Sequence, residues 1–457
     1  MKFLIVTFAP TLKKEDKFYS YAPYVYEMNI WSKYIEELGI ISPIVYEDKL
    51  LLSSFDKEPQ IFPIKPISFV SIPAIFISLF RIPLLLIQLF KAMQWAEHIH
   101  LRCPGNVGLL GCFVQILFPK KPKTVKYAGN WDPTSKQPRS YRFQKWILSN
   151  TFLTRNCKVL VYGDWPNQSE NIVPFFTASY SEEEIEEVQI RDISIVKKQI
   201  AMSRTFRNDE SIEEGQMLNR VQHDDSNRHS QLDWESHDLE NDQQIATLHT
   251  PRNDKSVEGE QMLNRVLHDG IQRHSALDAE SVTNKLKFIY VGGLTPGKQP
   301  LLSVQVVHEL KRKGYNVQLD MYGDGVEKAK ITDYILDNSL EGIIILHGNT
   351  SKEIVKKAYQ QAHFSLFISK SEGWPKVVAE AMFWGCVPLT SAVSCVPEML
   401  GNGSRGTIVV ANSHEIVSVI EGYVKNNEMY KIHAQNAMEW SRQFTLEKFE
   451  EEIGRLF

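Results

Sequence analysis

Three absences limit what this 457-residue chain can be. Its five cysteines include no pair at C-x2-C spacing, which argues against a zinc ribbon or a disulfide framework and favours a reducing, cytoplasmic compartment. It has no basic excess, since 51 Lys and Arg stand against 55 Asp and Glu, so we expect no nucleic-acid partner. With 43% hydrophobic and 23% charged residues, it is too polar for a polytopic membrane protein. A globular protein of about two to three domains remains.

Strand-like and helix-like patterns alternate through the first 190 residues. The apolar run at residues 3–9 is short for a signal peptide, so a buried first strand is the better interpretation. Ile30, Tyr34 and Leu38 recur at helical spacing and predict a helix that stops at Gly39. Alternation of this kind predicts a parallel β-sheet covered by helices.

One segment of this half is nearly free of charge. Between residues 67 and 90 only Arg81 is charged, and the length approaches that of a membrane span. Pro73 and Pro83 interrupt the segment, and a span would place Arg81 near the bilayer centre, where a charge is costly. We therefore expect a helix packed on the sheet. A helix on the membrane surface is the second alternative, and a true span is the third.

The composition changes abruptly between residues 201 and 284. Leu, Ile, Val and Phe make up 15 of these 84 residues, a fraction typical of disordered chains. A 30-residue stretch that starts at Arg207 recurs from Arg252, with about 20 identical positions. Two copies cannot bury a continuous core. The sequence therefore predicts a disordered, low-complexity insert over residues 199–284 that is dispensable.

Strands and helices alternate again after the insert, and glycine-containing turns follow two of the strands. Gly292 and Gly293 open a turn that leads to Lys298, and Gly323 follows the next strand. Glycine lets the backbone approach a ligand closely, and lysine supplies a positive charge to phosphate. Because ligands of open α/β sheets bind at the carboxyl ends of strands, these turns predict an anionic-ligand site.

The most specific pattern is SEGWPKVVAEAM, in which Glu372 ends a loop and Glu380 lies eight residues later inside a helix. The helix start, near Lys376 and Val377, offers free N–H groups to an anion. The two carboxylates can therefore contact different parts of one ligand whose phosphates lie on that helix start.

The chain from Lys285 onwards resembles the retaining glycosyltransferases of family four, of the bacterial surface-polysaccharide type. The resemblance rests on YVGGLTPGKQP, MYGDG, SEGWPKVVAEAM and GCVPLTSAVSCVPEML. It implies the GT-B fold, an α/β architecture in which two Rossmann-like, doubly wound domains face a cleft, here with the repeat insert between them. By this resemblance, residues 1–190 form the acceptor domain, 285–440 the nucleotide-sugar domain, and 441–457 a helix that returns to the first domain.

The resemblance also implies roles for single residues. Glu372 would contact the donor sugar, Glu380 the ribose and Lys298 the diphosphate, with Glu372 and Lys298 as the catalytic pair. The family's Gly-Arg turn reads Gly292-Gly293 here, so Lys298 or Lys376 would have to supply the missing cation. The implied donor site comprises Gly292, Gly293, Gly323, Gly373, Lys376, Val377 and Glu380, and no metal or cofactor is implied.

The N-terminal half resembles the family only in its layout. Loops after two predicted strands carry Arg102 with Asn106 and Asn130 with Asp132, which we expect to face the cleft and bind the acceptor. Ordinary turn chemistry at a strand end is the alternative for these residues.

The resemblance implies retaining transfer from a nucleotide-sugar to a glycan or lipid-linked acceptor, with peripheral contact at the inner face of the cell membrane. The alternatives are a GT-B sugar-nucleotide epimerase and a non-catalytic sugar-nucleotide-binding protein.

Overall fold

A computed structural model describes residues 1–14, 17–45, 52–68, 70–194 and 285–457. These residues form two α/β domains, each built on its own β-sheet. The predicted insert, residues 199–284, lies outside the described residues.

The N-terminal domain is built on a ten-stranded sheet. Its strands are β1 (Lys2–Val6), β2 (Thr11–Lys14), β3 (Lys17–Tyr21), β4 (Glu37–Val45), β5 (Leu52–Ser54), β6 (Gln60–Ile64), β7 (His98–Cys103), β8 (Lys123–Tyr127), β9 (Cys157–Tyr162) and β10 (Ile172–Phe175). The strands β10-β9-β8-β7-β1-β4 are parallel, β6 also pairs with β4, and the antiparallel β3 and β5 extend the edge beyond β2. The helices are α1 (Ala22–Ser32), α2 (Ile72–Trp95), α3 (Asn106–Val114) and α4 (Arg139–Ser149).

The first strand lies at the centre of this sheet, as its apolar sequence predicts. Phe3, Leu4, Ile5 and Val6 are fully buried, and β1 pairs with β4 on one side and β7 on the other.

The prediction of a helix that extends to Leu38 is wrong in its C-terminal part. Helix α1 ends at Ser32, and both Leu38 and Gly39 belong to β4. Pairing with β1 fixes the strand, and Gly39 lies so close to Trp95 that a Cβ there would be 2.5 Å from its ring. Tertiary packing therefore overrides the helical spacing at this position.

The helix expected to pack on the sheet over residues 67–90 does so only in part. Helix α2 runs from Ile72 to Trp95, and only a narrow face that includes Leu85 and Leu89 is buried. Pro73 lies in the first turn, where its missing N–H breaks no helical hydrogen bond, so it starts the helix instead of interrupting it.

The C-terminal domain has a six-stranded parallel sheet in the order β13-β12-β11-β14-β15-β16. Its strands are β11 (Leu286–Val291), β12 (Val317–Tyr322), β13 (Ile344–Gly348), β14 (Phe364–Phe367), β15 (Val387–Thr390) and β16 (Thr407–Ile408). The helices are α5 (Pro300–Arg312), α6 (Lys328–Asp337), α7 (Lys352–Gln361), α8 (Lys376–Phe383), α9 (Val396–Met399), α10 (Ser413–Lys425), α11 (Asn427–Ser441) and α12 (Leu446–Gly454). The strand order reverses between β11 and β14, which is where ligands of doubly wound sheets bind.

Helix α12 leaves the C-terminal domain and packs on the N-terminal one. Phe449 and Ile453 are buried in the same apolar cluster as Phe3 and Trp31. The Lys33 ammonium lies 2.5 Å from the Glu450 carboxylate. The described residues therefore form two doubly wound α/β domains joined by this return helix and by residues 176–194.

Candidate active site

Two glycine turns meet at the carboxyl ends of β11 and β12. Gly292 and Gly323 have φ values of +153° and +130°, which L side chains rarely adopt. A Cβ on Gly323 would overlap the carbonyl oxygen of Gly292. The Leu294 N–H donates to the Asp324 carbonyl at 2.9 Å, so the two turns are joined backbone to backbone. Gly293 lies in the first of these turns, where its carbonyl accepts the Tyr290 hydroxyl at 2.9 Å.

The structure brings Lys298 and Glu372 together beside these turns. Lys298 ends a short 3₁₀ turn, and its Nζ lies 3.9 Å from Glu372 Oε1 and 5.4 Å from the centre of the Phe367 ring. The Ser369 hydroxyl donates to the same carboxylate oxygen at 2.8 Å. Glu372 is only 14% exposed. A cation and an oriented carboxylate therefore share one edge of the sheet.

Helix α8 begins directly after this pair. Pro375 precedes it and has no side-chain oxygen with which to cap it, so the first-turn N–H groups of Lys376 and Val377 remain available to an anion. The Lys376 side chain, however, lines a small cavity with Glu380 and residues 177–180. Lys376 therefore lies toward the interdomain segment, whereas Lys298 lies next to Glu372.

Glu380 is engaged by a residue that sequence reasoning missed. The hydroxyl of Ser179, in the segment that connects the two domains, donates to Glu380 Oε1 at 2.6 Å. The buried Tyr359 lies against the same carboxylate, which contributes to raising the pKa of this tyrosine, although burial is the larger cause. A ribose that binds Glu380 must share this carboxylate with Ser179.

The glycine of the SEGWPKVVAEAM segment, Gly373, lies at the contact between the domains. A Cβ on Gly373 would overlap the carbonyl oxygen of Ala128 and approach the Tyr162 ring to 3.0 Å. The neighbouring Trp374 packs against Phe176 and Phe444, which belong to the interdomain segment and to the turn before α12. Gly373 thus allows the donor-side loop to touch the N-terminal domain.

A second contact between the domains involves the VPEM segment. The backbone N–H of Asp164, after β9, donates to Glu398 Oε2 at 3.0 Å. Gly163 beside it has a φ of +84° and lies against Cys395. This carboxylate therefore helps to hold the loop after β9 against the C-terminal domain.

The four acceptor candidates fall into two groups. Asn130 Oδ1 accepts the N–H of Asp132 at 2.9 Å, and Asp132 Oδ1 accepts both the N–H and the hydroxyl of Thr134 at 2.7 Å. These two side chains therefore shape their own loop after β8, which is the turn-chemistry alternative. Arg102 and Asn106 do not lie in the predicted loop: Arg102 is paired with Lys126 inside β7, which ends at Cys103, and Asn106 begins α3 at the same edge of the sheet.

Arg102 belongs to a buried cluster of charges whose other members sequence reasoning missed. Its Nη1 lies 3.3 Å from Glu27 Oε2, and its guanidinium stacks over the Tyr24 ring. Burial alone would raise the pKa of Glu27, but Arg102, Lys126 and, from the other domain, Lys376 together hold it below its usual value. Charge from both domains therefore meets at this point of the cleft.

Lys126 is the most unusual member of that cluster. It is fully buried in β8, donates to the Phe176 carbonyl at 3.1 Å, and has its ammonium over the Tyr162 and Phe175 rings. Burial lowers its pKa to about 7, against the partial opposition of Glu27. The sequence signal that could have revealed it is a lysine inside the strand-like segment KTVKY.

Comparison with known proteins identifies the architecture. Residues 276–440 match the family model for glycosyl transferases group 1. HepE of Anabaena, solved with UDP and glucose, aligns at a TM-score of 0.55 and 13% identity over 100% of this chain and 98% of that one. Sucrose-phosphate synthase of Thermosynechococcus elongatus aligns at 0.56 and 12% identity over 99% and 97%. The protein has the GT-B fold.

The GT-B prediction is thus confirmed for the described chain. A curated relative, an uncharacterized glycosyltransferase of Methanocaldococcus jannaschii, is 26% identical over 161 residues, which is 35% of this chain. The match spans 44% of that relative's own length. The family-model match lies on the C-terminal domain and its immediate approach, where Lys298, Glu372 and Glu380 are found.

Proposed function

We propose that this protein is a retaining glycosyltransferase that moves a sugar from a nucleotide-sugar to an acceptor held by the N-terminal domain. The observation that carries the proposal is the pair formed by Lys298 and Glu372, 3.9 Å apart at the strand ends of a GT-B domain. The residues around this pair match the glycosyl transferases group 1 model. A cation for the diphosphate and a carboxylate for the sugar hydroxyls thus lie side by side.

The proposed chemistry needs stabilisation of a departing anion. The bond between the anomeric carbon and the diphosphate oxygen breaks, a bond between the anomeric carbon and the acceptor oxygen forms on the same face of the sugar, and the proton of the acceptor hydroxyl passes to the departing diphosphate. Lys298 and the free N–H groups at the start of α8 are donors fixed in place before charge develops on the diphosphate. Retention is supported by the resemblance of Glu372 and Glu380 to the paired acids of the retaining family.

UDP-glucose is the first donor to test. HepE of Anabaena, which shares the fold, has been solved with UDP and with UDP-glucose. The acceptor side of the proposal rests on Arg102 and Asn106, at the cleft end of β7, and less on Asn130 and Asp132, whose oxygens serve their own loop. A glycan or a lipid-linked glycan is the acceptor class that we propose.

The decisive experiment combines binding and turnover. Melting temperatures are measured with UDP, GDP and ADP, since a ligand at a hundred times its Kd stabilises the folded state by about 2.7 kcal/mol. UDP release from UDP-glucose is then followed with and without an acceptor fraction, and the anomeric configuration of the product is read by NMR. A product with inverted configuration would contradict retention. Epimerised donor without acceptor would identify an epimerase, and binding without turnover would identify a binding protein.

A cytoplasmic location is part of the proposal. All five cysteines are free and buried in the structure, including Cys103 and Cys112, whose sulfur atoms lie 4.0 Å apart without a bond. Free thiols are typical of proteins in reducing compartments. Fractionation of cells that express the tagged protein tests this location, and recovery outside the cytoplasmic and inner-membrane fractions would contradict it.

A further inference from the structure

The N-terminal domain concentrates positive charge in one part of an otherwise acidic chain. Between residues 59 and 163 the sequence has fourteen Lys and Arg but only two acidic residues, Glu97 and Asp132. The excess of twelve positive charges stands against a formal net charge of −4 for the whole chain. This stretch contains α2, α3 and α4, which cover one face of the sheet.

Helix α2 is packed on the sheet along its second half, whereas in its first half only Ser78 is buried. Leu89, Ala92 and Met93 are completely buried against the sheet. In the first half Leu79 is 52% and Phe80 86% exposed, and most of their apolar neighbours are exposed as well. Pro83 lies between the halves, and its missing N–H weakens the helical ladder there. The first half, residues 72–84, is therefore an apolar arm at the edge of the domain.

Exposed aromatic side chains continue this apolar surface across the neighbouring helices. Phe90 of α2 contacts Phe118, and Phe113 of α3 contacts Phe143 of α4. Phe143 in turn stacks on Trp146 at a centroid distance of 5.7 Å. The exposed faces of α2, α3 and α4 thus form one surface, which we name the docking surface.

Basic side chains border the docking surface. Lys91 and Lys120 are exposed beside its α2 end, and Arg139 and Arg142 are exposed on α4. Lys121 donates to the carbonyls of Met93, Gln94 and Ala96 at the end of α2, where a cation is favourable for the helix dipole. Aromatic and aliphatic groups surrounded by Lys and Arg are the composition that binds an anionic lipid surface.

The topology places the apolar arm next to the cleft. Helix α2 connects β6 to β7, which are parallel to each other, so it runs antiparallel to both strands and begins at their carboxyl ends. The end of β7, with Arg102, and the loop that follows β8, with Asn130, lie at that same edge. The arm and the acceptor loops therefore share one rim of the domain.

We infer that the docking surface binds an anionic lipid bilayer, with the apolar arm inserted into one leaflet and α2 lying on the membrane instead of crossing it. The composition of α2 would allow a span, but its second half is packed on a sheet that cannot enter the hydrocarbon. The occupant is a membrane because exposed basic residues of α2 and α4 flank the apolar groups, and acidic residues are nearly absent from this stretch. The role of this contact rests on the proposed function: a protein that lies on the membrane in this way receives a lipid-linked acceptor directly at its cleft.

The test is vesicle flotation with the purified full-length protein and no donor present. Vesicles of phosphatidylcholine alone are compared with vesicles that also contain phosphatidylglycerol, at low and high salt. We expect binding to the anionic vesicles that falls as salt rises, because each basic residue near the surface contributes about fivefold to partitioning. Absence of binding to either vesicle, or binding that resists carbonate extraction, would overturn the inference.

Two variants and one control locate the binding face. Leu79→Ser with Phe80→Ser should lower anionic-vesicle binding by on the order of tenfold or more. Arg139→Ser with Arg142→Ser should lower it about 30-fold at low salt. The control, Leu336→Ser with Ile432→Ser, removes two side chains of the C-terminal domain that are each 56% exposed and should change nothing. Equal loss in the control, or unchanged binding in both test variants, would contradict the assignment.

Melting temperatures and nucleotide binding complete the design. All variants should melt within a few degrees of the parent, since every substituted side chain is exposed. UDP binding, measured without vesicles, reports on the donor site alone, so failure of membrane binding is distinguishable from failure of the proposed function. If the docking surface instead joins two copies of the chain, the parent sediments as a dimer and the Leu79/Phe80 variant as a monomer, which would overturn the inference.

Discussion

The two domains share an architecture but place their chemistry differently. In the C-terminal domain the candidate residues lie in turns at strand ends and in the first turns of α8, within short stretches such as Gly292 to Lys298 and Glu372 to Glu380. In the N-terminal domain the charged cluster is mostly buried and its members come from separate elements, as Glu27 of α1 meets Arg102 of β7. The candidate donor residues are therefore recognisable in the local sequence, whereas the charged cluster on the other side of the cleft depends on packing between distant segments.

The substitution with the largest expected effect is at Lys298, and it tests the comparison between the two domains. Lys298→Ala removes the cation beside Glu372 and should lower the transfer rate by on the order of 10²-fold, the scale for one fixed electrostatic donor. Lys313→Ala, at the other end of α5 and paired with Glu421, is the control and should keep the parent rate. Activity near that of the parent in Lys298→Ala would place the phosphate cation elsewhere.

The same measurement decides the role of Lys376. If Lys376 supplies the cation that Gly293 lacks, the Lys298/Lys376 double alanine variant should retain almost no activity. Because Lys376 lies near the interdomain segment and acts on Glu27, we expect Lys376→Ala alone to lower the transfer rate less than Lys298→Ala does. Full activity of Lys376→Ala would show that it is only a solvated lysine.

A second prediction separates the two acids of the signature. Glu380→Ala should weaken UDP binding by on the order of tenfold, the loss of a charge-assisted hydrogen bond to ribose, while Glu372→Ala should mainly slow transfer. Calorimetry measures the first effect and steady-state kinetics the second. Equal and small effects of both substitutions on binding and rate would contradict the assignment.

A third prediction concerns the contact that joins the domains at Glu380. Ser179→Ala frees Glu380 Oε1 from its 2.6 Å hydrogen bond. If ribose competes with Ser179 for this carboxylate, UDP should bind this variant up to about tenfold more tightly, because one net hydrogen bond no longer has to be broken. Ser181→Ala, two residues further along the segment, is the control. Weaker UDP binding in Ser179→Ala would show that Ser179 positions Glu380 for the nucleotide.

The fourth prediction tests the buried charge of the N-terminal domain. Lys126 releases its proton near pH 7 when folded but near its ordinary value of 10.5 when unfolded. The unfolded chain therefore binds more protons between pH 7 and 10.5, so this residue makes stability rise with pH across that window. Lys126→Met should remove this rise, seen as a melting-temperature difference from the parent of a few degrees that changes between pH 7 and 9.5. The exposed Lys120→Met is the control, and a constant difference for Lys126→Met would contradict the prediction.

The smallest effect is expected from the segment between the domains. Replacing residues 201–284 by a short Gly/Ser linker should leave solubility, melting temperature and transfer rate almost unchanged. The composition of this stretch cannot support its own core, and loop closure costs only about 0.6 kcal/mol per doubling of length. Loss of folding, or loss of activity in a folded variant, would show that the repeat has acquired a role.

The sequence alone determined the class of fold and the candidate donor site. Strand-helix alternation predicts doubly wound domains because parallel strands must be joined by crossover helices. The glycines at 292 and 323 and the acids at 372 and 380 were identifiable because each belongs to a short local sequence pattern.

Only the tertiary structure decided where helices end, what they cover and which distant charges meet. Leu38 became part of a strand because it pairs with Phe3 of β1, and most of the first half of α2 is exposed although its sequence is apolar. Ser179 and Glu380 are 201 residues apart, and Glu27 and Arg102 are 75 apart, so no local pattern joins them. Contacts across such separations follow from which surfaces bury one another, and that is settled by the packing of the whole chain.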